Sequence, residues 1–225
     1  MSTDVTLASP KDTPDNARDA VRVFFHHWSP RLLAGAAIAW GFIRLVVGQW
    51  SAADLLVACG IVLFWPIQEW LIHVLVLHFK PVKVLGLTID PSNASEHRKH
   101  HRDPWLIKRV FVPWFTAFTG MFFLPLLWFS AMPTIPLALT GLMVFFMMAT
   151  HYEWVHYLCH VRWRPPLKHY RVLVDSHRLH HFKSEHHWLG VSMLMGDRLF
   201  GTAPDARSVE KSDTVRTLGV EEAAA

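Results

Sequence analysis

The chain has 225 residues, which suits one domain and not several. It is 52% hydrophobic, with eleven Trp and fifteen Phe, and this is rich for a soluble protein of its size. The net charge is +4 and the pI about 9.3, but the basic residues flank long apolar stretches, which reads as membrane orientation and excludes nucleic-acid binding. Two cysteines, Cys59 and Cys159, exclude a disulfide framework.

Residues 1–20 are polar and carry Pro10, Pro14 and several Asp, so they read as a disordered tail without a secretory signal peptide. Asn16 to Arg31 suits a short interfacial helix with Val21, Phe24, Phe25 and Trp28 on its apolar side. Leu32 to Trp50 is apolar apart from Arg44. Leu55 to Phe79 is interrupted by Glu69 and His73. Phe111 to Thr150 contains no Asp, Glu, Lys or Arg. That stretch is too long for one span of about 20 residues and suits two helices joined at Met132–Pro136, with Trp128 at the membrane interface.

Four membrane helices are therefore expected, at 31–50, 54–78, 110–131 and 135–158. The turns near Gly48–Ser51 and Met132–Pro136 carry no Lys or Arg, whereas the opposite side carries Lys80, Lys83, Arg98, Lys99, Arg109, Arg162 and others. By the positive-inside rule both termini are cytoplasmic. The expected fold is an all-α integral membrane protein, with four transmembrane helices under a cytoplasmic helical cap. One domain covers 21–202, and 203–225 is expected to be a flexible tail. Asn93-Ala94-Ser95 matches a glycosylation sequon, but on a cytoplasmic loop it reads as chance.

Ten of the sixteen histidines form four clusters: His73 with His78, His97 with His100 and His101, His156 with His160, and His177 with His180 and His181. Imidazole is the commonest side-chain metal ligand, and residues three or four apart share a helix face. Ten imidazoles exceed the needs of one tetrahedral ion and suit two ions with four or five ligands each. The topology puts all four clusters on one side of the membrane. Imidazole accepts Fe, Zn, Cu or Ni, whereas Mg and Ca prefer oxygen, and spacing alone does not choose between redox-active iron and zinc.

Glu69, Glu153 and Asp175 lie close in sequence to His73, His156 and His177. They are expected to accept the second ring N–H of those ligands. An acid inside a span, such as Glu69, is costly and points to function. His26 and His27 read as interfacial surface. His151 lies about 140° round the helix from His156. His169 stands outside the clusters, and His186 and His187 are candidates to back up the site.

The cluster order resembles the fatty acid hydroxylase superfamily of membrane di-iron enzymes. Glu69-Trp70-Leu71-Ile72-His73 through His78, Ser95 through His101, His156 through His160 and His177 through Phe182 are similar to its four motifs. Leu189-Gly190-Val191-Ser192 and Gly196 through Thr202 resemble its C-terminal signature. The resemblance implies two Fe ions, with Zn possible in purified protein, together with O2 and electrons from NAD(P)H. It implies an oxidised C–H bond on a lipid substrate, and it leans toward a fatty acyl chain or acyl lipid. The first twenty residues cannot hold a cytochrome b5 domain, so a separate donor is expected, either cytochrome b5-like or a ferredoxin and reductase. The membrane would be the inner membrane of a bacterium or the endoplasmic reticulum of a eukaryote. Two alternatives stay open: the same hydroxylation or desaturation chemistry on a sterol, hopanoid or carotenoid, and a non-enzymatic membrane protein that binds or transports metal.

Overall fold

A computed structural model describes residues 9–220. Eight α-helices follow in order: α1 (Ala17–His26), α2 (Trp28–Val47), α3 (Ala52–Ile72), α4 (Ser92–Arg102), α5 (Trp114–Ala131), α6 (Ile135–Cys159), α7 (Lys168–Phe182) and α8 (Met195–Phe200). A two-stranded antiparallel hairpin, β1 (Val82–Val84) and β2 (Leu87–Ile89), separates α3 from α4. The helical reading of the sequence gave no hint of it.

α2, α3, α5 and α6 are long and apolar enough to cross a membrane. Twenty residues at 1.5 Å each give α2 a length of about 30 Å, the thickness of a hydrocarbon core. The expected spans lie within a few residues of these helices. The difference is largest at the end of α3, which gives way to a π turn after Ile72, and next at the start of α5, where Pro113 immediately precedes the first helical residue. α6 packs against α2, α3, α5 and α7 and is the central helix. It starts at Thr134, whose hydroxyl accepts the Leu137 amide, with a proline in its first turn. Gly141 lets α5 close on α6, because a Cβ there would sit 2.4 Å from the Trp128 ring. Trp128 thus packs between helices.

The tight turn between α2 and α3 is tied by a buried ion pair. Arg44 lies 2.7 Å from Asp54 and 2.7 Å from the Thr140 hydroxyl, and it also donates to the Gly48 carbonyl. Asp54 accepts the Ser51 amide at 2.8 Å. The two charges neutralise each other where either alone would be costly. At the opposite end, α3 leaves the bundle through a π-helical turn, His73–Leu77, closed by the bond from the His78 amide to the His73 carbonyl at 3.0 Å.

The described parts of both end segments pack against the rest of the protein, which composition does not suggest. Within 1–20, residues 1–8 lie outside the described residues. Thr13 is buried, its hydroxyl accepts the Arg162 amide, and the Pro14 carbonyl accepts the Trp163 amide at 2.8 Å. The helix expected over 16–31 is broken at His27, which is extended. Phe24 is buried against Phe111, Trp154 and Tyr157, while Val21 and Phe25 stay exposed. Residues 203–220, expected to be flexible, fold back on the cap and bury Val215 and Leu218. Residues 221–225 lie outside the described residues.

Candidate metal centre

The π turn explains the spacing of the first histidine pair. Residues five apart point about 140° away from each other on an α-helix. An i to i+5 bond reduces that offset, and the His73 and His78 ring centroids are 4.8 Å apart. His156 and His160, one α-turn apart on α6, are 5.1 Å apart.

The two HxxHH helices lie between these pairs. Adjacent residues on a helix diverge by about 100°, so His100 and His101 face different neighbours, as do His180 and His181. Two groups result. His73, His78, His97, His101 and His180 form one, and His100, His156, His160 and His181 form the other. Within each group the ligand atoms lie within 4.8 Å of one another. α4 and α7 each contribute to both groups. His177, the tenth, stands beside both: its Nε2 is 3.0 Å from His181 Nε2, and its ring is 5.0 Å from His156 and 5.3 Å from His180.

Donor chemistry fits metal. Buried ring nitrogens of His73, His78, His97, His100, His156, His160, His177 and His181 have no hydrogen-bond partner in the protein. An unpaired buried polar group costs free energy, and metal ligation would use these nitrogens. Burial, reinforced by repulsion among neighbouring imidazoles, holds His78, His97, His100, His160, His177, His180 and His181 well below the usual imidazole range. Burial also pushes His101 down, to about 3, although the Val215 carbonyl acts in the other direction. Neutral imidazole is the form that ligates.

The residues that orient these ligands are not the expected carboxylates. His73 Nδ1 meets the Leu189 carbonyl at 2.6 Å, His101 Nδ1 the Val215 carbonyl at 3.0 Å, and His180 Nδ1 the His187 carbonyl at 2.9 Å. All three carbonyls belong to the chain beyond α7. Glu69 does not touch His73. Its carboxylate accepts the amides of Val191 and Ser192, the Ser192 hydroxyl and the Trp65 indole. Asp197 accepts the amides of Leu189 and Gly190 at 2.9 and 2.8 Å and the Thr202 hydroxyl at 2.6 Å. Two carboxylates therefore hold four consecutive amides, and this loop presents the Leu189 carbonyl to His73. Glu69 acts on the histidine through the loop.

Glu153 likewise bonds elsewhere, accepting the Ser29 hydroxyl at 2.6 Å and the Val112 amide at 2.8 Å, so it joins α2 to the entry of α5. Asp175 is exposed and paired with Arg164 at 2.8 Å, and it belongs to neither histidine group. His26, His27, His151, His169, His186 and His187 supply no ring to either group. His187 contributes only its carbonyl.

The C-terminal segment clasps α4. Arg216 donates to the His101 carbonyl at 3.1 Å and lies 4.9 Å above the Phe182 ring. Glu185 accepts the hydroxyls of Ser212 and Thr214 at 3.0 and 2.5 Å. Leu189, His187 and Val215 act through backbone carbonyls, which any residue carries, so no side-chain motif marks them.

An apolar cavity of about 300 Å³ lies between α3, α5 and α6, lined by Trp65, Ile72, Ala117, Gly120, Phe146 and Tyr152 among others. A smaller cavity of about 70 Å³, reaching His97, His100 and His156, shares Leu77, Asn93, Val112, Pro113 and Tyr152 with it. A third, of about 540 Å³, shares Gln68, Leu124 and Phe145 with the first and extends toward Met132. The histidines thus stand beside the smallest of three adjoining pockets that share wall residues along the bundle.

The family model described as Fatty acid hydroxylase matches residues 58–202, which contain all four histidine clusters. The chain belongs to the fatty acid hydroxylase family. Among curated relatives, Dihydroceramide fatty acyl 2-hydroxylase FAH2 of Arabidopsis thaliana is 29% identical over 158 residues, 70% of this chain and 64% of that protein. FAH1 of the same organism is 28% identical over 189 residues, 82% of this chain and 76% of that one. The chain therefore spans slightly under two thirds of the first relative's length. A solved structure titled "Full length scs7p (only hydroxylase domain visible)" superposes with a TM-score of 0.65 at 20% identity, covering 82% of this chain and 68% of the other. At that identity the likeness concerns the fold. The family match and the four long apolar helices make this a multi-pass membrane protein.

Proposed function

We propose that this fatty acid hydroxylase family member is an O2-dependent hydroxylase of a fatty acyl chain or acyl lipid, with its ten clustered histidines holding two irons. The observation that carries this reading is that a pocket reaching His97, His100 and His156, and so both histidine groups, shares walls with the apolar cavity of the bundle. The net reaction is R–H + O2 + 2 electrons + 2 protons giving R–OH + H2O, with electrons from NAD(P)H through a separate donor at the cap. Two bound irons would supply the O2-activating redox chemistry that no side chain here provides.

The chain's own residues bind and position. The acyl tail fills the space lined by Trp65, Ala117, Gly120 and Phe146, and its polar end points toward the histidines. Leu77 and Tyr152 line both cavities, so a carbon near the acyl carbonyl lies closest to the metals. This agrees with the 2-hydroxylase names of the plant relatives. The apolar walls keep water from the reacting carbon. Both termini and the cap are placed on the cytoplasmic side, on the distribution of Lys and Arg.

Lipid analysis of a strain lacking the gene tests this. One 2-hydroxylated acyl species is expected to vanish, to return with the wild-type gene, and to stay absent with His156→Ala accumulating normally in the membrane. Loss of a ring-hydroxylated terpenoid would instead favour the sterol or carotenoid reading. Full complementation by His156→Ala would rule out metal-dependent oxidation. The transport alternative is disfavoured by placement: transporter ligands lie near the bilayer midplane, whereas these histidines sit at helix ends and in the cap.

A further inference from the structure

Among the described residues, the two strands of the hairpin between α3 and α4 pair only with each other. Val82 pairs with Ile89 and Val84 with Leu87. Directly paired residues share a face of the ribbon, so all four apolar side chains lie on one face. Lys83 and Thr88, also paired, lie on the other. Val82, Val84, Leu87 and Ile89 are all exposed, and Leu85 at the tip is 99% exposed. Leu85 also has a positive φ of 51°, a conformation that a bulky residue rarely adopts. A solvent-facing turn would more ordinarily place a glycine or asparagine at that position.

We infer that this hairpin inserts its apolar face and its Leu85 tip into the headgroup–acyl boundary of the leaflet next to the metal centre. Three observations select lipid over a protein partner. The hairpin starts five residues after Leu77, the last residue of that membrane span, which puts its base beside the membrane surface. Ile72 at the end of α3 and Leu75 on the π turn, which lead into the hairpin, are also exposed apolar residues. Lys80 and Lys83 flank it, as suits anionic headgroups. A three-residue strand is about 10 Å long, and amphipathic elements bury their apolar face about 5–10 Å into that boundary.

The insertion is wired to the metal centre. Arg98 on α4 is buried and donates to the Phe79 carbonyl at 3.0 Å and to Asp90 at 2.5 Å. Those two residues bracket the hairpin. One guanidinium therefore fixes both ends of the hairpin to the helix that carries His97, His100 and His101. The lipid surface seats the hairpin, and the hairpin sets where α4 presents its histidines.

The test reconstitutes full-length protein in phosphatidylcholine–phosphatidylglycerol vesicles with an environment-sensitive fluorophore on Leu85→Cys or, separately, Thr88→Cys. Cys59 is replaced by Ser, and Cys159 is buried. The fluorophore at 85 is expected to be blue-shifted and quenched severalfold more by nitroxide-labelled lipid than by aqueous iodide, with the reverse preference at 88. Equal access of iodide to both positions would overturn the inference. So would protection at 85 that vanishes on dilution to one chain per vesicle, since that would make the cover a second copy. Arg98→Ala should leave the quenching at 85 intact but lower metal retention about 10-fold, as loss of an outer support does. Unchanged metal retention in that variant would overturn the link to α4. None of these readouts depends on turnover, so a failed substrate assignment leaves them interpretable.

Discussion

Replacing Glu69 by Ala removes the acceptor for two buried amides, one hydroxyl and one indole N–H. A hydrogen bond to a charged group contributes about 1.5–3 kcal/mol, so the loss of the Val191 and Ser192 amide bonds alone should cost about 3–6 kcal/mol. Asp197 still holds Leu189 and Gly190, so the loop should loosen without detaching. The Leu189 carbonyl would then no longer be fixed against His73 Nδ1, and metal retention should fall by about 10–100-fold. Purified Glu69→Ala protein, challenged with a graded chelator series and assayed for metal by mass spectrometry alongside thermal unfolding, gives both quantities. Because Asp197 holds the same loop, Glu69→Ala and Asp197→Ala should be non-additive by about 0.5–3 kcal/mol in a double-mutant cycle. Wild-type metal retention and melting in Glu69→Ala, or strict additivity of the pair, would refute the loop as the link between acid and ligand.

Four other perturbations probe different parts of the molecule. A Cβ at Gly196 would lie 2.5 Å from the Pro66 carbonyl and 2.8 Å from Trp70 Cβ, so Gly196→Ala should push α8 off α3 and destabilise by about 1–3 kcal/mol, measured by thermal or denaturant unfolding. Arg216→Ala cuts the clasp on the His101 carbonyl and should speed metal release to chelator about 10-fold, whereas Arg164→Ala, which breaks only an exposed pair, should not. Gly120→Leu fills part of the 300 Å³ cavity, and product analysis should show loss of the longest hydroxylated chains with shorter ones retained. In intact cells lacking Cys59 and Cys159, an impermeant thiol reagent should label Thr134→Cys and not Ser95→Cys; the opposite pattern would invert the topology.

The spans were legible because hydropathy over twenty residues is a long signal, and the histidine clusters because helical spacing maps onto faces. The division of those histidines was not. His100 and His101 are neighbours in sequence, and only the position of α4 between two other ligand pairs assigns them to different groups. The five-residue spacing of His73 and His78 did hold a clue, since it matches the i to i+5 bond of a π turn. The carboxylates misled because sequence proximity says nothing of where a side chain reaches: Glu153 crosses to α2, and Asp175 turns to Arg164. The hairpin was missed because three-residue strands are shorter than any window that reports alternation. The C-terminal segment reads as polar linker, yet the buried Val215 and Leu218, the Arg216 bond to the His101 carbonyl and the Ser212 and Thr214 bonds to Glu185 anchor it to the cap.

The most direct test of the central claim uses purified, iron-loaded protein in lipid nanodiscs, supplied with a chemical or enzymatic electron source, an acyl lipid and 18O2. The account predicts two metal ions per chain and one 18O atom in a new hydroxyl group on the acyl chain, with no product from His156→Ala. One metal ion per chain in folded active protein, or a hydroxyl oxygen drawn from water, would contradict it.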